Sequence, residues 1–379
     1  MTATVDKEVI EDLRASVRAV LSNHSATSLA RALSHGDGYD VELWERMASL
    51  GWLGAMTEEQ HGGAGLGMLA ATTIVEELAY HNTCVPFISS AVLATTALGS
   101  GDNTVAETWL PELAAGRSLG AYCCTGRAGL ADPQLLDVCA QPSSGDGLTL
   151  TGEANFAGDA AFADLVLVAA RTTDGELVIV RVDPQTSGVD VTPVPTINRG
   201  HRLAHVRLSD APAADVIAQG DQARSLFERV AANAVVILAA DAHGAARRAL
   251  DLALQYAKQR HQFGRPIGSF QAVKHMLANM YTAVSASGAC VRAAAEAIDR
   301  RDPLAPRLVA TAGAYARHSA SEVVGSAMQI HGAIGYTWEH ECHLLLKRAK
   351  FDERYLVNGW TGRDRLADIV LKGPNDSRH

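Results

Sequence analysis

The hydrophobic positions at the start of the chain repeat at helical spacing. Val9, Leu13, Val17 and Leu21 recur every four residues, and Leu43, Met47 and Leu50 repeat the pattern before Gly51-Trp52-Leu53-Gly54 interrupts it. The segment His61-Gly62-Gly63-Ala64-Gly65-Leu66-Gly67 reads as a tight interhelical turn, and Met68 to Leu78 resumes a helix that closes near Glu76-Glu77. Between Leu119 and Leu208 the period changes. Leu148-Thr149-Leu150-Thr151, Leu165 to Ala169, Leu177 to Val180 and Val189 to Val191 are short β-rich runs, separated by turn-forming stretches such as Ser-Gly-Asp-Gly and Asp-Pro-Gln-Thr-Ser-Gly. After Ala211-Pro212, long Ala-rich helical patterns cover Leu226 to Lys258, Gln271 to Arg300 and Leu304 to His331, as in helices that pack side by side. The pattern predicts an α+β chain: a helical domain over 1–117, an all-β insert over 118–218 and a helical bundle over 219–379. The strands cluster instead of alternating with helices, and no GxGxxG follows a strand, which argues against a doubly wound dinucleotide fold.

Composition narrows the function classes. The chain has 379 residues, 47% hydrophobic and 20% charged, enough for several cores. Its 33 basic against 42 acidic residues leave a formal charge of −9, with no basic tail for a phosphate backbone, so no nucleic-acid partner is expected. The longest apolar run, around Val235 to Ala240, falls far short of the roughly 20 residues that span a bilayer. The N-terminus carries Asp6, Glu8, Glu11 and Asp12 where a signal peptide would be basic and then apolar, so a cytoplasmic protein without membrane partners is expected. Six cysteines without a CxxC pair read as reduced core thiols, with no metal site expected.

The segment Tyr256-Ala-Lys-Gln-Arg260-His-Gln-Phe263-Gly264-Arg-Pro-Ile267-Gly268-Ser-Phe270-Gln271 resembles the signature of the acyl-CoA dehydrogenase family. It is joined, in the family's order, by Leu50-Gly-Trp-Leu-Gly54, Glu58 to Gly67, Glu76-Glu77-Leu78 and Met328-Gln329-Ile-His331-Gly332-Ala-Ile-Gly335-Tyr336-Thr337-Trp-Glu339-His340. The resemblance implies an N-terminal all-α domain, a middle β-barrel and a C-terminal four-helix-bundle domain, assembled as a homotetramer or a dimer of dimers. It also implies FAD-dependent α,β-desaturation of an acyl-CoA thioester, in which a carboxylate takes the α-proton and the flavin accepts the β-hydrogen as hydride. Donors fixed on the thioester oxygen make so weak an acid removable, while the cofactor carries the hydride step. By resemblance Arg260 and Phe263 contact the FAD diphosphate and adenosine of a neighbouring subunit, with Gln271 nearby, and Gln329 and Gly332 line the same FAD. A guanidinium suits a pyrophosphate because its planar fork donates two parallel hydrogen bonds. Electron-transfer flavoprotein is the oxidising partner that the family implies.

Departures from the family pattern are equally informative. Where the family binds the flavin edge through an Ala-Leu-Thr-Glu-Pro type of stretch, this chain reads Cys123-Cys124-Thr125-Gly126-Arg127, keeping only Thr125. The family's Trp-Ile-Thr/Ser pattern matches Phe156-Ala157-Gly158, so the aromatic persists as Phe156 while the hydroxyl donor has become Gly158. Losing one such bond costs about 1 kcal/mol. The glutamate that many members carry after a C-terminal Tyr is absent from Tyr355-Leu356-Val357, and the position used by a second subset, about seven turns before Arg260, is Ala234. Asp241 lies seven residues beyond Ala234, rotated by only about 20° but displaced about 10 Å along the helix. It is the expected catalytic base, the alternative being a structural carboxylate satisfied by His243 or Arg247. Glu339, Glu341, Asp352 and Glu353, among Lys347, Arg348 and Arg354, read as a solvated charged face. The expected function is therefore an FAD-dependent acyl-CoA dehydrogenase. The alternatives are a non-catalytic partner subunit of a heteromeric dehydrogenase, sharing FAD at the interface, and a flavin oxidase or monooxygenase on the same fold.

Overall fold

A computed structural model describes residues 7–23, 38–99, 104–143, 147–338, 340–356 and 363–372. The N-terminal part holds α1 (Lys7–Ser22), α2 (Val41–Ser49) and α3 (Gly67–Tyr80). Asp40 caps α2 by accepting the Leu43 amide, which satisfies one of the free donors of its first turn. Nearly every residue of α3 is buried, because the helix runs between α1 and the bundle rather than along a surface. A π-helix (Phe87–Ala94) continues into α4 (Thr95–Leu98), and α5 (Thr104–Ala114) leads to the sheet.

The middle part is built from β1 (Gly120–Cys123), β2 (Cys139–Pro142), β3 (Leu148–Gly158), β4 (Leu165–Thr172), β5 (Leu177–Val182), β6 (Val189–Val194), β7 (Leu203–Pro212) and β8 (Asp215–Gln219). Their order is β6-β7-β3-β2-β4-β5-β8, with β1 pairing parallel to β4. The expected all-β insert is there, but it is an open mixed sheet and not a closed barrel: β6 pairs only with β7, and β8 only with β5. In β4, Leu165, Leu167 and Ala169 face the helices while Val166, Val168 and Ala170 face the sheet's own core, so a continuous apolar run marks a strand buried on both faces.

The bundle consists of α6 (Gly220–Gln259), α7 (Gln271–Asp299), α8 (Ala305–His331) and α9 (Cys342–Arg354), followed by α10 (Arg363–Lys372). The 40-residue α6 is the spine. Its first half shares a core with the N-terminal helices and one face of the sheet, and its second half packs on α7, α8 and α9. The crossing of α3 and α6 depends on Gly244, where a Cβ would sit 2.2 Å from the Glu76 carbonyl oxygen. Among the described residues no helix is long and apolar enough to cross a membrane.

Candidate functional site

Three regions receive the residues singled out in the sequence. The first lies where α6 ends. Arg260 is the extended C-cap, and His261–Gln262 (β9) pairs antiparallel with Arg265–Pro266 (β10). The turn between them places Phe263 at φ 54 and Gly264 at φ 77, the left-handed pair that a tight hairpin needs. A positive φ is costly for a bulky side chain. Here it turns Phe263 outward, 92% exposed. Arg265 covers Phe270, with its guanidinium 4.1 Å from the ring centroid. Arg260 is exposed and makes no ion pair among the described residues. Gln271 opens α7 on the surface, and Gln329 and Gly332 are exposed at the end of α8. The two ends adjoin through Tyr256, whose ring lies 4.6 Å from that of His331. The structure thus gathers Arg260, Phe263, Gln271, Gln329 and Gly332 at one exposed end of the bundle.

The second region holds Thr125, Phe156 and Gly158. Thr125 is buried, and its hydroxyl donates to the Asn155 carbonyl. The Phe156 ring lies edge-on to His205, with centroids 5.3 Å apart. Gly158 faces Tyr355: a Cβ at this position would meet the Tyr355 hydroxyl at 2.9 Å. A tyrosine from the chain's C-terminal part therefore occupies the space that a side chain at position 158 would take. Asn155 Nδ2 and His205 Nδ1 are buried there without hydrogen-bond partners.

The third region is the interior around Asp241. Its carboxylate is fully buried and forms a two-pronged pair with Arg348, Nη2 to Oδ1 at 2.6 Å and Nε to Oδ2 at 2.8 Å. Arg348 Nη1 donates to the Thr83 carbonyl at 2.9 Å, tying α9 to the end of α3. His201 Nε2 lies 3.5 Å from Asp241 Oδ2, and the His201 ring stacks on Phe351 at 4.5 Å. Burial pushes His201 down to about 4, against the pull of Asp241, so the ring is neutral near pH 7. Burial alone would raise the Asp241 carboxyl, but the charge of Arg348 and its hydrogen bonds outweigh this and hold the group below the ordinary range. Burial and then the charge of Asp241 push the Asp352 carboxyl well above that range. Arg317, drawn down to about 10 chiefly by burial, donates to the Asp352 carbonyl at 2.5 Å and to the Tyr355 carbonyl. The cavity beside Asp241 is about 20 Å³, enough for a water and too small for an acyl thioester.

These distances bear on two expectations. A base must be basic and within reach of its proton, and Asp241 in this arrangement is an ion-pair partner with a depressed pKa. Neither His243 nor Arg247 satisfies it, since the first meets Ser287 and the second Glu77. Arg348 and Asp352, expected on a solvated face, are buried. The available signal was the spacing of Leu345, Ala349 and Asp352, which continues one buried stripe of α9. His201 and Arg317 carried no local signal. At the two alternative base positions, Leu356 and Ala234 are buried and apolar.

Two family models match the chain, the acyl-CoA dehydrogenase N-terminal domain over residues 7–117 and the acyl-CoA dehydrogenase C-terminal domain over residues 229–356. The chain belongs to the acyl-CoA dehydrogenase family. It is 33% identical over 366 residues to acyl-CoA dehydrogenase IpdE2 of Mycobacterium tuberculosis, covering 96% of this chain and 97% of that protein. Among solved structures it is similar to the ChsE4-ChsE5 complex from Mycobacterium tuberculosis, with 27% identity, a TM-score of 0.86 and coverage of 98% and 99% of the two chains. Butyryl-CoA dehydrogenase from Megasphaera elsdenii shares the fold at 23% identity and TM-score 0.86, over 98% of this chain and 100% of that one. Membership places the chain in FAD-dependent acyl-CoA dehydrogenation, the oxidation of a CH–CH bond.

Tested against FAD, the first two regions answer differently. The exposed end fits a pyrophosphate, because Arg260 is a cation with no ion pair among the described residues. The strand region fits the flavin ring poorly: Thr125 has its hydroxyl turned to Asn155, and Tyr355 stands against Gly158.

Proposed function

We propose that the chain is a subunit of an FAD-dependent acyl-CoA dehydrogenase that desaturates an acyl-CoA thioester. In this reading it lends Arg260, Phe263, Gln271, Gln329 and Gly332 to the diphosphate and adenosine of FAD across a subunit contact. The observation that carries it is Arg260, unpaired and exposed on a hairpin that also turns Phe263 outward. Such groups are useless to their own chain's interior and complete only in an assembly of two or more subunits. When bound, FAD supplies the hydride-accepting chemistry. The chain's own residues hold its phosphates and shield them from water.

Two forms of this reading differ in where the α-proton goes. In a homomer, Asp241 is the base and Thr125, Phe156 and Gly158 border the flavin. In a heteromer, a homologous partner subunit holds the flavin ring and the base. The closure around Asp241 and Leu356 favours the heteromer, as does the similarity to the ChsE4-ChsE5 complex. Electron-transfer flavoprotein is the electron acceptor in either form, and the cytoplasm the compartment.

Purifying the chain alone and together with a co-expressed homologous subunit tests both forms. The heteromer predicts substoichiometric FAD and no bleaching by acyl-CoA for the chain alone, with both restored in the co-purified complex. A chain that alone carries one FAD per protomer and bleaches would overturn it. If Asp241→Asn then keeps the flavin but slows bleaching by about a hundredfold or more, Asp241 is the base.

A further inference from the structure

A cavity of about 150 Å³ lies between the N-terminal half of α6, the loop before His61 and the end of α4, and it shares no lining residue with the small space beside Asp241. An apolar cavity of similar size takes a benzene, so the room is for a ligand of about six or seven heavy atoms. Met56 and Leu110 give it an apolar wall.

Two polar side chains that line it are buried and short of a partner. Asn233, 4% exposed, donates through Nδ2 to the Thr96 hydroxyl at 3.1 Å, and that hydroxyl donates in turn to the Val92 carbonyl at 2.6 Å. The amide is thereby oriented, and its Oδ1 is buried without a hydrogen-bond partner among the described residues. Thr57 Oγ1 is in the same condition on a side chain from the facing loop. An amide oxygen only accepts, so an occupant must bring it a donor, and leaving it bare is costly. One turn before Asn233, on the same face of α6, Arg229 stands exposed at the mouth. Its guanidinium lies beside Gly99, where a Cβ would sit 3.8 Å from Nη2. Arg229 makes no ion pair among the described residues. Desolvation and then the charge of Arg301 lower its pKa, whereas a carboxylate beside it would raise it. Glu58 also borders the cavity, with its carboxylate accepting the Gln60 amide at 2.9 Å. Two cations against one acid leave the mouth short of a single negative charge.

We propose that this cavity binds a small hydroxycarboxylic acid as its monoanion, with the carboxylate on Arg229, the hydroxyl donating to Asn233 Oδ1 beside Thr57, and the carbon chain against Met56 and Leu110. A guanidinium takes a carboxylate through two parallel hydrogen bonds. The bare amide oxygen favours a hydroxyl over a methylene, and Glu58 disfavours a dianion. The one-turn spacing of Arg229 and Asn233, about 5 to 6 Å, suits a chain of three or four carbons. Occupancy ties the loop at Thr57 to α4 and α6. The site lies about 40 Å along α6 from Arg260, at about 1.5 Å per residue, and does not depend on the dehydrogenase reading.

The probes are 3-hydroxybutyrate and butyrate, which differ only in the hydroxyl. Isothermal titration of the full-length protein should show 3-hydroxybutyrate binding saturably, one per chain, at about 1 mM or below, and butyrate about tenfold more weakly. Arg229→Gln, at an exposed position, should weaken 3-hydroxybutyrate by about tenfold or more. Thr57→Val keeps the shape of the side chain and should narrow the gap between the two acids while leaving butyrate unchanged. Equal affinities of the parent for the two acids, an Arg229→Gln affinity equal to the parent's, or no saturation by about 10 mM would each overturn the proposal.

Discussion

The exposed hairpin at Arg260 and the interior at Asp241 sit at the two ends of the same stretch of α6, and they handle charge in opposite ways. Asp241, Arg348, Asp352 and His201 answer one another inside the protein: a paired anion and cation, a carboxyl whose pKa is pushed up and a neutral imidazole. Arg260 stands in water without a counter-charge among the described residues. A buried ion pair is worth little net, but removing one member strands the other in a low dielectric. An exposed lone arginine costs almost nothing until an anion arrives. The contrast separates polar residues that hold the fold, near the Asp241 end, from those at the Arg260 end that we propose meet a ligand.

The largest effect is expected from Arg348→Met, which leaves Asp241 buried without its cation. Denaturant titration should show a loss of about 3 to 5 kcal/mol, and a loss below about 1 kcal/mol would mean that the pair is not closed in solution. The pH dependence comes next. The His201 pKa is lowered to about 4 by burial, so its contribution is complete above its unfolded value of 6.5 and drains away as pH falls towards 4. Asp241, also depressed, loses its contribution at still lower pH, as its carboxylate is forced to protonate. Asp352, raised, runs the other way, contributing most at low pH and losing that contribution as pH rises through its folded value. Unfolding free energy measured from pH 7 to pH 4 should therefore fall by up to about 3 kcal/mol more in the parent than in His201→Gln. Identical slopes would show that His201 is not buried neutral.

Arg260→Ala should leave stability within about 0.5 kcal/mol of the parent. In whichever assembly carries the flavin, FAD retention should drop roughly ten- to a hundredfold. If stability falls instead and flavin retention does not, the two ends of α6 have been assigned the wrong way round. Tyr355→Phe is the mildest change. It removes the hydroxyl that stands against Gly158, costs about 1 kcal/mol, and tests by the same denaturant curves whether that contact matters. Tyr355→Ala, which opens the space, should raise FAD uptake by the chain alone if the tyrosine is what keeps the flavin ring out.

The sequence carried the family and the order of its parts. The helical spacing of Val9 to Leu21, the change of period at Leu119 and the long Ala-rich runs after Pro212 are local signals that repeat within a few residues. The motif from Tyr256 to Gln271 is contiguous, and so its hairpin was legible before the fold. Less of the sheet could be read. The runs at β3, β4, β5 and β6 are visible as β-rich, but Gly120–Cys123 and Cys139–Pro142 are only four residues each and owe their strand character to the strands beside them, β4 for the first and chiefly β3 for the second. Whether the sheet closes is a matter of which edges find partners, and no local pattern encodes that.

What tertiary structure alone decided is the fate of the charges. Asp241 and Arg348 are 107 positions apart in sequence, and His201 comes from the sheet side of the chain. Each looks alone like a solvated or reactive group. Only the packing of α9 against α6 and the end of α3 removes water from all of them together. Desolvation then makes pairing obligatory and drives the pKa values of the two neighbouring acids apart, Asp352 up and Asp241 down. A linear sequence specifies which groups can ionise; the dielectric in which they do so is a property of the folded assembly.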